Sequence, residues 1–272
     1  MMKEPRPEFH LVAPCSISGM TILASTNTSS VRRCSQFANL KQGLAFNYKA
    51  PGRKRTTPEN CLIYDCPESE VLQSIQREKG FNYYSLFADP LPSEDMVCVV
   101  GVGIFRLHEN KANYTEAMKV CRDEGGELAS VLSSKRTIGL SNMISNLKHD
   151  RLAYVGLDDI EHEGKFMTAS GKLANCFEYR AWGLGEPKGR RQEEDCVVID
   201  AGRNWKVVDC SKRLPFICEL LPKGPFPIRD ERVEDVCQLD LSNRKLLRRV
   251  SKTKNFYKNS IAFHWISNFF KL

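Results

Sequence analysis

The chain has 272 residues, 42% of them hydrophobic and 27% charged, with a formal net charge of +7; these are globular values that leave room for about two domains of ordinary size. The charge is local, because residues 241–272 hold eight Lys or Arg and no Asp or Glu, which leaves residues 1–240 at −1. A nearly neutral globular part has no general nucleic-acid footprint, and no stretch reaches the ~18 apolar residues of a membrane span.

Met1 to Pro14 is charged and proline-containing, so a signal peptide's apolar run is not visible there. Ser30 to Leu40 reads as a short amphipathic helix, with Val31, Cys34, Phe37 or Ala38 and Leu40 near one face. Leu44 to Tyr48 and Cys61 to Tyr64 read as strands. Asp89-Pro90-Leu91-Pro92-Ser93 has the composition of a linker. His108 is expected at a strand end. Tyr114, Ala117, Met118 and Cys121 then follow the i, i+3, i+4, i+7 pattern of a helix with one buried face. Asn113 with Glu116 fits its N-terminal cap, and Gly125-Gly126 ends it. A second helix starts near Ser133-Ser134 and runs towards Asn146, with Ile138, Met143 and Ile144 partly inward. Leu152 to Leu157, Val197 to Ile199, Trp205 to Val208 and Pro215 to Cys218 read as strands. Residues 158–190 lack periodicity, and so long an irregular segment inside a domain points to function. Lys223-Gly224-Pro225-Phe226-Pro227 closes this module.

The tail that follows is basic from Arg244 to Lys258 and largely apolar from Ile261 to Phe270. It reads as a disordered appendage or a mispredicted end, with contact to an anionic membrane surface as the other reading. The eleven cysteines show no paired zinc spacing, since Cys61 and Cys66 lack a matching second pair. Disulfides in an oxidising compartment are the better reading, and the chain is expected to be extracellular. The sequons at Asn27 and Asn113 agree with a secreted glycoprotein. None of the five histidines has the partner of a nucleophile motif, and Gly101-Val102-Gly103 is no phosphate loop. No enzymatic activity is expected.

Within 113–219 the order of motifs is Tyr154-Val155-Gly156-Leu157, Gly185-Glu186-Pro187-Lys188, Glu194-Asp195-Cys196, Trp205, Cys210 and Pro215-Phe216-Ile217-Cys218-Glu219. This order resembles the C-type lectin-like domain. The resemblance implies Cys121–Cys218 and Cys196–Cys210 disulfides, and it makes residues 158–190 the loops of the binding face. Chain entropy values such bridges at about 4.7 kcal/mol for a loop near 100 residues and about 3 for one near 15.

In that family, sugar binds through a calcium ion that needs 6–8 oxygen ligands. Glu186, Pro187 and Glu194 match the family's primary site, whereas Lys188 stands in place of an Asn, and Lys206 and Val207 in place of Asn and Asp. An ammonium has no lone pair for calcium and competes for Glu186 and Glu194, with Lys188 expected to bridge one of them. The primary site therefore reads as degenerate and the binding as calcium-independent. The alternative is a calcium-dependent lectin, for which Glu186-Pro187 implies a mannose-type preference. At the auxiliary calcium site Asp159, Glu163 and Asp195 match, and Gly189 replaces a fourth acid. Asp158, Asp159, Glu161 and Glu163 also read as a solvated acidic loop. No cofactor is required, and calcium at the auxiliary site is the one the resemblance allows. Lys188-Gly189-Arg190-Arg191 is a loop tip that is either solvated or suited to sulfated glycans, sialylated glycans or acidic proteins.

The earlier helix, the Ala45-Phe46-Asn47-Tyr48 strand and the Cys61-Leu62-Ile63-Tyr64 strand resemble the PAN/apple module, although Gln42-Gly43 stand where that family has a cysteine. Its bridges are expected at Cys34–Cys61 and Cys15–Cys98, leaving Cys66, Cys176 and Cys237 as an odd set. The expected fold is α+β. A small PAN/apple-like module (9–98) precedes a disulfide-bonded C-type lectin-like domain (99–221) of two helices, small antiparallel sheets and a long irregular loop region, followed by the tail (222–272). The expected partner is a glycan or protein at the long-loop face, with no nucleic acid and no transmembrane span.

Overall fold

A computed structural model of the protein describes residues 8–51, 59–68, 74–87, 95–147, 151–187 and 194–222. The Asp89–Ser93 linker, Lys188 to Arg191, Cys237 and the tail beyond Pro222 lie outside these residues.

The first half contains β1 (His10–Ala13), β2 (Ser16–Ser18), β3 (Ile22–Thr26), α1 (Val31–Lys41), β4 (Ala45–Lys49), β5 (Cys61–Tyr64), β6 (Ile75–Arg77) and β7 (Phe81–Ser85). Five strands form an antiparallel sheet in the order β1-β7-β4-β5-β3, and β2 pairs with β6 as a separate ribbon. The Ser30 hydroxyl accepts the Arg33 N–H and starts α1, which ends at Gln42 in a left-handed conformation. Cys34 and Ala38 press α1 onto Phe46, Ile63 and Tyr84 of the sheet, and the Cys34–Cys61 disulfide joins them. Leu40 does not share that face. At 3.6 residues per turn it lies about 120° round from Cys34, and it is 76% exposed.

On the opposite sheet face, period-2 alternation puts Asn47 among buried side chains. Its amide donates to the Ser16 and Asn82 carbonyls, and its carbonyl accepts from Ser18 N–H and Tyr64 hydroxyl. One fully bonded side chain therefore fixes the β2–β6 ribbon under the sheet.

The second half contains β8 (Met96–Val99), β9 (Gly103–Ala112), α2 (Tyr114–Asp123), β10 (Gly126–Leu128), α3 (Ser134–Ile144), β11 (Leu152–Asp158), β12 (Met167–Thr168), β13 (Cys196–Asp200), β14 (Trp205–Val208) and β15 (Leu214–Leu220). The main path is β14-β13-β11-β15-β9-β8, with β10 on β15 and β12 on β11. The first and last long strands pair antiparallel, from Ala112 opposite Leu214 to Ile104 opposite Leu220, which brings the ends of the domain together. His108 lies inside β9, stacked 4.5 Å from Phe216, and not at a strand end. Asn113 and Glu116 form a reciprocal capping box on α2. Ser133 caps α3, which ends at Ile144, and Ile138 is exposed while Ile144 is buried. Residue 126 opens β10 rather than a loop, and a Cβ there would sit 2.2 Å from the Glu219 carbonyl oxygen.

Phe105, Leu140, Ile144, Val155, Trp205 and Ile217 form one core cluster, and Tyr114, Cys121, Tyr154, Val198 and Phe216 another. Cys121–Cys218 ties α2 to β15, and Cys196–Cys210 ties β13 to the segment after β14. Arg136 of α3 holds the buried Glu219 of β15 in a two-pronged ion pair, at 2.6 and 2.8 Å.

The halves meet at Leu44, Leu86, Phe87 and Ile104, with Met96, Cys98 and Leu220 packed around them. The expected boundary at residue 98 falls inside β8, which belongs to the second sheet. Cys98 bonds Cys66, not Cys15. The Cys15 N–H is held by Asn82 at the start of β7, whereas Cys98 packs with Leu86 just beyond its end. Four residues of strand separate those points by about 13 Å, beyond the ~7 Å reach of a disulfide. Cys15 is disulfide-bonded elsewhere, and Cys176 is free and exposed. No helix among the described residues is long and apolar enough to cross a membrane.

Candidate functional site

The irregular stretch between β11 and β13 gains order from backbone bonds to the sheet rather than from its own periodicity. Where β11 ends, the Asp159 N–H donates to the Asp195 carbonyl at 3.0 Å, which places the loop beginning at 159 against the approach to β13. The His162 N–H returns to the Asp159 carbonyl, and the Gly164 N–H donates to Asp159 Oδ2 at 2.8 Å. These bonds wrap residues 159–164 around one carboxylate. Asp159 is only 4% exposed, and its Oδ1 is buried without a hydrogen-bond partner. Burial, reinforced by the neighbouring Glu163 and Asp195 carboxylates, raises the Asp159 carboxyl to about 6. Asp159, Glu163 and Asp195 thus share one acidic locality. Asp158 does not offer the same chemistry. Its Oδ2 accepts the Tyr114 hydroxyl at 2.8 Å, and burial raises its carboxyl too.

The second part of the face follows Trp182. The Trp205 N–H donates to the Ala181 carbonyl at 2.7 Å, and the Gly183 N–H donates back to the Trp205 carbonyl at 2.9 Å. The Trp182 ring lies 4.8 Å from Phe166 and 5.4 Å from Trp205, and Tyr179 also meets Trp205 edge-on. These aromatic contacts back a turn in which Glu186 N–H donates to the Gly183 carbonyl and Gly185 takes a φ of 77°. The Glu186–Pro187 peptide is cis. Leu184 is fully exposed at the turn, while Glu186 is partly buried. The Val207 N–H donates to Glu186 Oε2 at 3.4 Å.

Lys206 departs from expectation. Its ammonium does not compete for Glu186 or Glu194. It pairs with Asp200 at 2.7 Å, across the β13–β14 hairpin in which Val198 faces Lys206. Burial opposes ionisation of Asp200, but Lys206 and the Asn204 amides outweigh it and hold the carboxyl below its ordinary range. Glu194 is partly buried just before Asp195. Lys188 and Gly189 lie outside the described residues. Asn27 is exposed and accepts the Asn60 N–H, and Asn113 is occupied as the cap of α2.

Sequence reasoning did not single out Asp200 or Trp182. Asp200 lies four residues before Asn204 in a short β-turn segment, which is the signal for its bonds to Asn204 and hence its place beside Lys206. Trp182 is an aromatic inside a segment without periodicity, and only the stack against Trp205 gives it a role. His108, Glu124 and Cys218 also lie close enough together for a metal ion, but the Cys218 sulfur is committed to Cys121.

Comparison with known proteins bears on the second half alone. The profile of the Lectin C-type domain family matches residues 110–220. Collectin-10 of Gallus gallus is 38% identical over 120 residues, covering 44% of this chain and 42% of the collectin. Collectin-43 of Bos taurus is 32% identical over 124 residues, covering 44% of this chain and 37% of that protein. The chain therefore spans less than half the length of these relatives. The cow C-type carbohydrate-recognition domain of CD23, solved in the presence of GlcNAc2Man3 oligosaccharide, is 23% identical with a TM-score of 0.42, covering 48% of this chain and 95% of that domain. Residues 110–220 are a C-type lectin domain.

Proposed function

We propose that this is an extracellular recognition protein whose lectin domain binds a glycan or protein at its long-loop face without calcium in the primary site. The observation that carries the reading is the state of Glu186 and of the two described positions beside it, Lys206 and Val207. Lys206 supplies an ammonium turned to Asp200, Val207 supplies no side-chain oxygen, and Glu186 Oε2 receives the Val207 N–H. Calcium needs 6–8 oxygen donors, and these residues do not fit it. The group at Asp159, Glu163 and Asp195 fits better, because a buried carboxylate oxygen there lacks a partner and three acids converge. An ion at that place would order the loop and is not required for ligand binding.

The N-terminal half is proposed as a PAN/apple-like recognition module, supported by α1 packed on a five-stranded antiparallel sheet through Cys34–Cys61. On this reading the modules are those expected from the sequence, with the second beginning at β8. Four disulfides among the described residues support an oxidising, extracellular setting. The alternative, a mannose-type calcium-dependent lectin, draws on the retained Glu186–Pro187 pair.

The deciding experiment is a calcium titration by calorimetry on the full chain, followed by a glycan array with and without chelator. Glycan or protein binding that survives chelator supports the proposal. Glycan binding abolished by chelator and restored by calcium replaces it with the alternative.

A further inference from the structure

Residues 9–58 contain seven Lys or Arg and no Asp or Glu, a run of 50 residues of one sign in a globular part that is otherwise mixed. The structure gathers part of this charge on α1. Arg32 and Arg33 are exposed in its first turn, Lys41 is exposed in its last, and the helix holds no acid. Arg33, Phe37 and Lys41 follow i, i+4, i+8 and form one line, about 12 Å from first to last at 1.5 Å per residue. The Lys41 ammonium lies over the Phe37 ring at 5.5 Å, which holds it in place without neutralising it. The line continues across the seam, where the exposed Lys135 of α3 bonds the Gln42 side chain at the end of α1.

The pairing state of these cations differs from that of four cations in the second half. In the lectin domain Arg106, Arg136, Lys206 and Arg213 each have a carboxylate partner. Among the described residues, no ion pair is formed by Arg32, Arg33, Lys41 or Lys135. Two arginines at the positive end of a helix are held where the helix dipole disfavours them. A like-charged, unpaired row on a rigid helix suits a linear polyanion, because neutralising it releases counterions.

We propose that the outer face of α1, with Arg32, Arg33, Lys41 and Lys135, is a docking track for a linear sulfated polysaccharide. The choice over nucleic acid rests on Cys34–Cys61, which lies directly beneath the track and belongs to an oxidising compartment. The track is separate from the long-loop face and does not depend on the reading of that face.

The test uses the full chain and heparin. Elution from a heparin column is measured for the native protein, for Arg32→Glu/Arg33→Glu/Lys41→Glu, and for a control of equal charge change, Lys119→Glu/Arg203→Glu/Lys212→Glu, at exposed lectin-domain positions. Two of the three track changes put carboxylates at a helix N-terminus, which favours folding, and circular dichroism verifies it. Lysine acetylation with and without heparin maps the contact independently of the basic tail. The track variant should elute at clearly lower salt than the control, and its salt-dependence slope should fall by roughly 2. Heparin should protect Lys41 and Lys135 in the native protein. Protection confined to Lys252, Lys254 and Lys258, or equal elution of track variant and control, overturns the proposal. Single-stranded DNA of matched charge that protects Lys41 and Lys135 as well as heparin does overturns the sulfated-glycan assignment.

Discussion

Asp159→Asn should stabilise the calcium-free protein at neutral pH and cost it the response to calcium. The native carboxyl is raised to about 6, chiefly by burial, against about 3.9 in an unfolded chain. Below about pH 4 both states hold the proton, and the group contributes nothing. Between about pH 4 and 6 the native state keeps a proton that the unfolded state has lost, so stability falls as pH rises. Above about 6 the penalty is complete. About two units at 1.36 kcal/mol each gives at most about 3 kcal/mol, and solvent screening near the loop surface reduces this to about 1–2. Asparagine keeps the oxygen that accepts the Gly164 N–H and offers an amide to Glu163 and Asp195 in place of a third negative charge. Thermal unfolding in chelator at pH 7.5 should therefore rise by roughly 2–8 °C, at about 2–4 °C per kcal/mol for a protein of this size. The difference should vanish near pH 4. Calcium should raise the native midpoint by mass action and leave the variant's nearly unchanged. A variant less stable than the native protein at pH 7.5, or a difference independent of pH, would refute the argument.

Arg136→Met leaves Glu219 buried without its guanidinium and should cost about 3–5 kcal/mol in denaturant unfolding. Adding Glu219→Gln should recover part of that loss, and a strictly additive double variant would show that the pair is not coupled. Replacing Cys66 and Cys98 by Ser opens a closure of separation 32 and should cost about 3–4 kcal/mol on the chain-entropy estimate. Non-reducing peptide mapping should recover a Cys66–Cys98 peptide, and a Cys15–Cys98 peptide would contradict the structure. Gly156→Ala puts a Cβ 2.4 Å from the Leu128 carbonyl oxygen; because that atom is backbone, chemical denaturation should show a loss of about 1–3 kcal/mol. An unchanged midpoint would mean that β11 and the end of β10 can separate.

The local signals in this chain were legible wherever a short-range rule applies. Asn113 and Glu116 are three residues apart, so the reciprocal cap of α2 is written in the chain itself. The same holds in part for α1, where spacing puts Cys34 on the buried face and leaves Phe37 or Ala38 beside it, while the Ser30 cap and the choice of Ala38 come from the structure. Leu40 and Ile138 were misplaced because apolar character was read as burial, although the helix turns both towards solvent. Strands were harder. Only β4, β5, β11, β13, β14 and part of β15 stood out, since β9 alternates poorly along its exposed half and β1 pairs with β7 over a long sequence separation rather than through a local hairpin.

The sequence by itself settled the motif order of the lectin domain and the residue types beside Glu186. Tertiary structure decided where those side chains go. Lys206 faces Asp200 because the β13–β14 register sets it on that side of the hairpin, and no pattern of charge in the chain specifies that register. Asp159 is raised by enclosure within residues 159–164 and 195, which the identity of its neighbours did not reveal. The Cys98 partner followed the same rule. Cysteine spacing leaves many pairings open, and the length of β7 between Asn82 and Leu86 is what separates Cys15 from Cys98 and leaves Cys66 within reach.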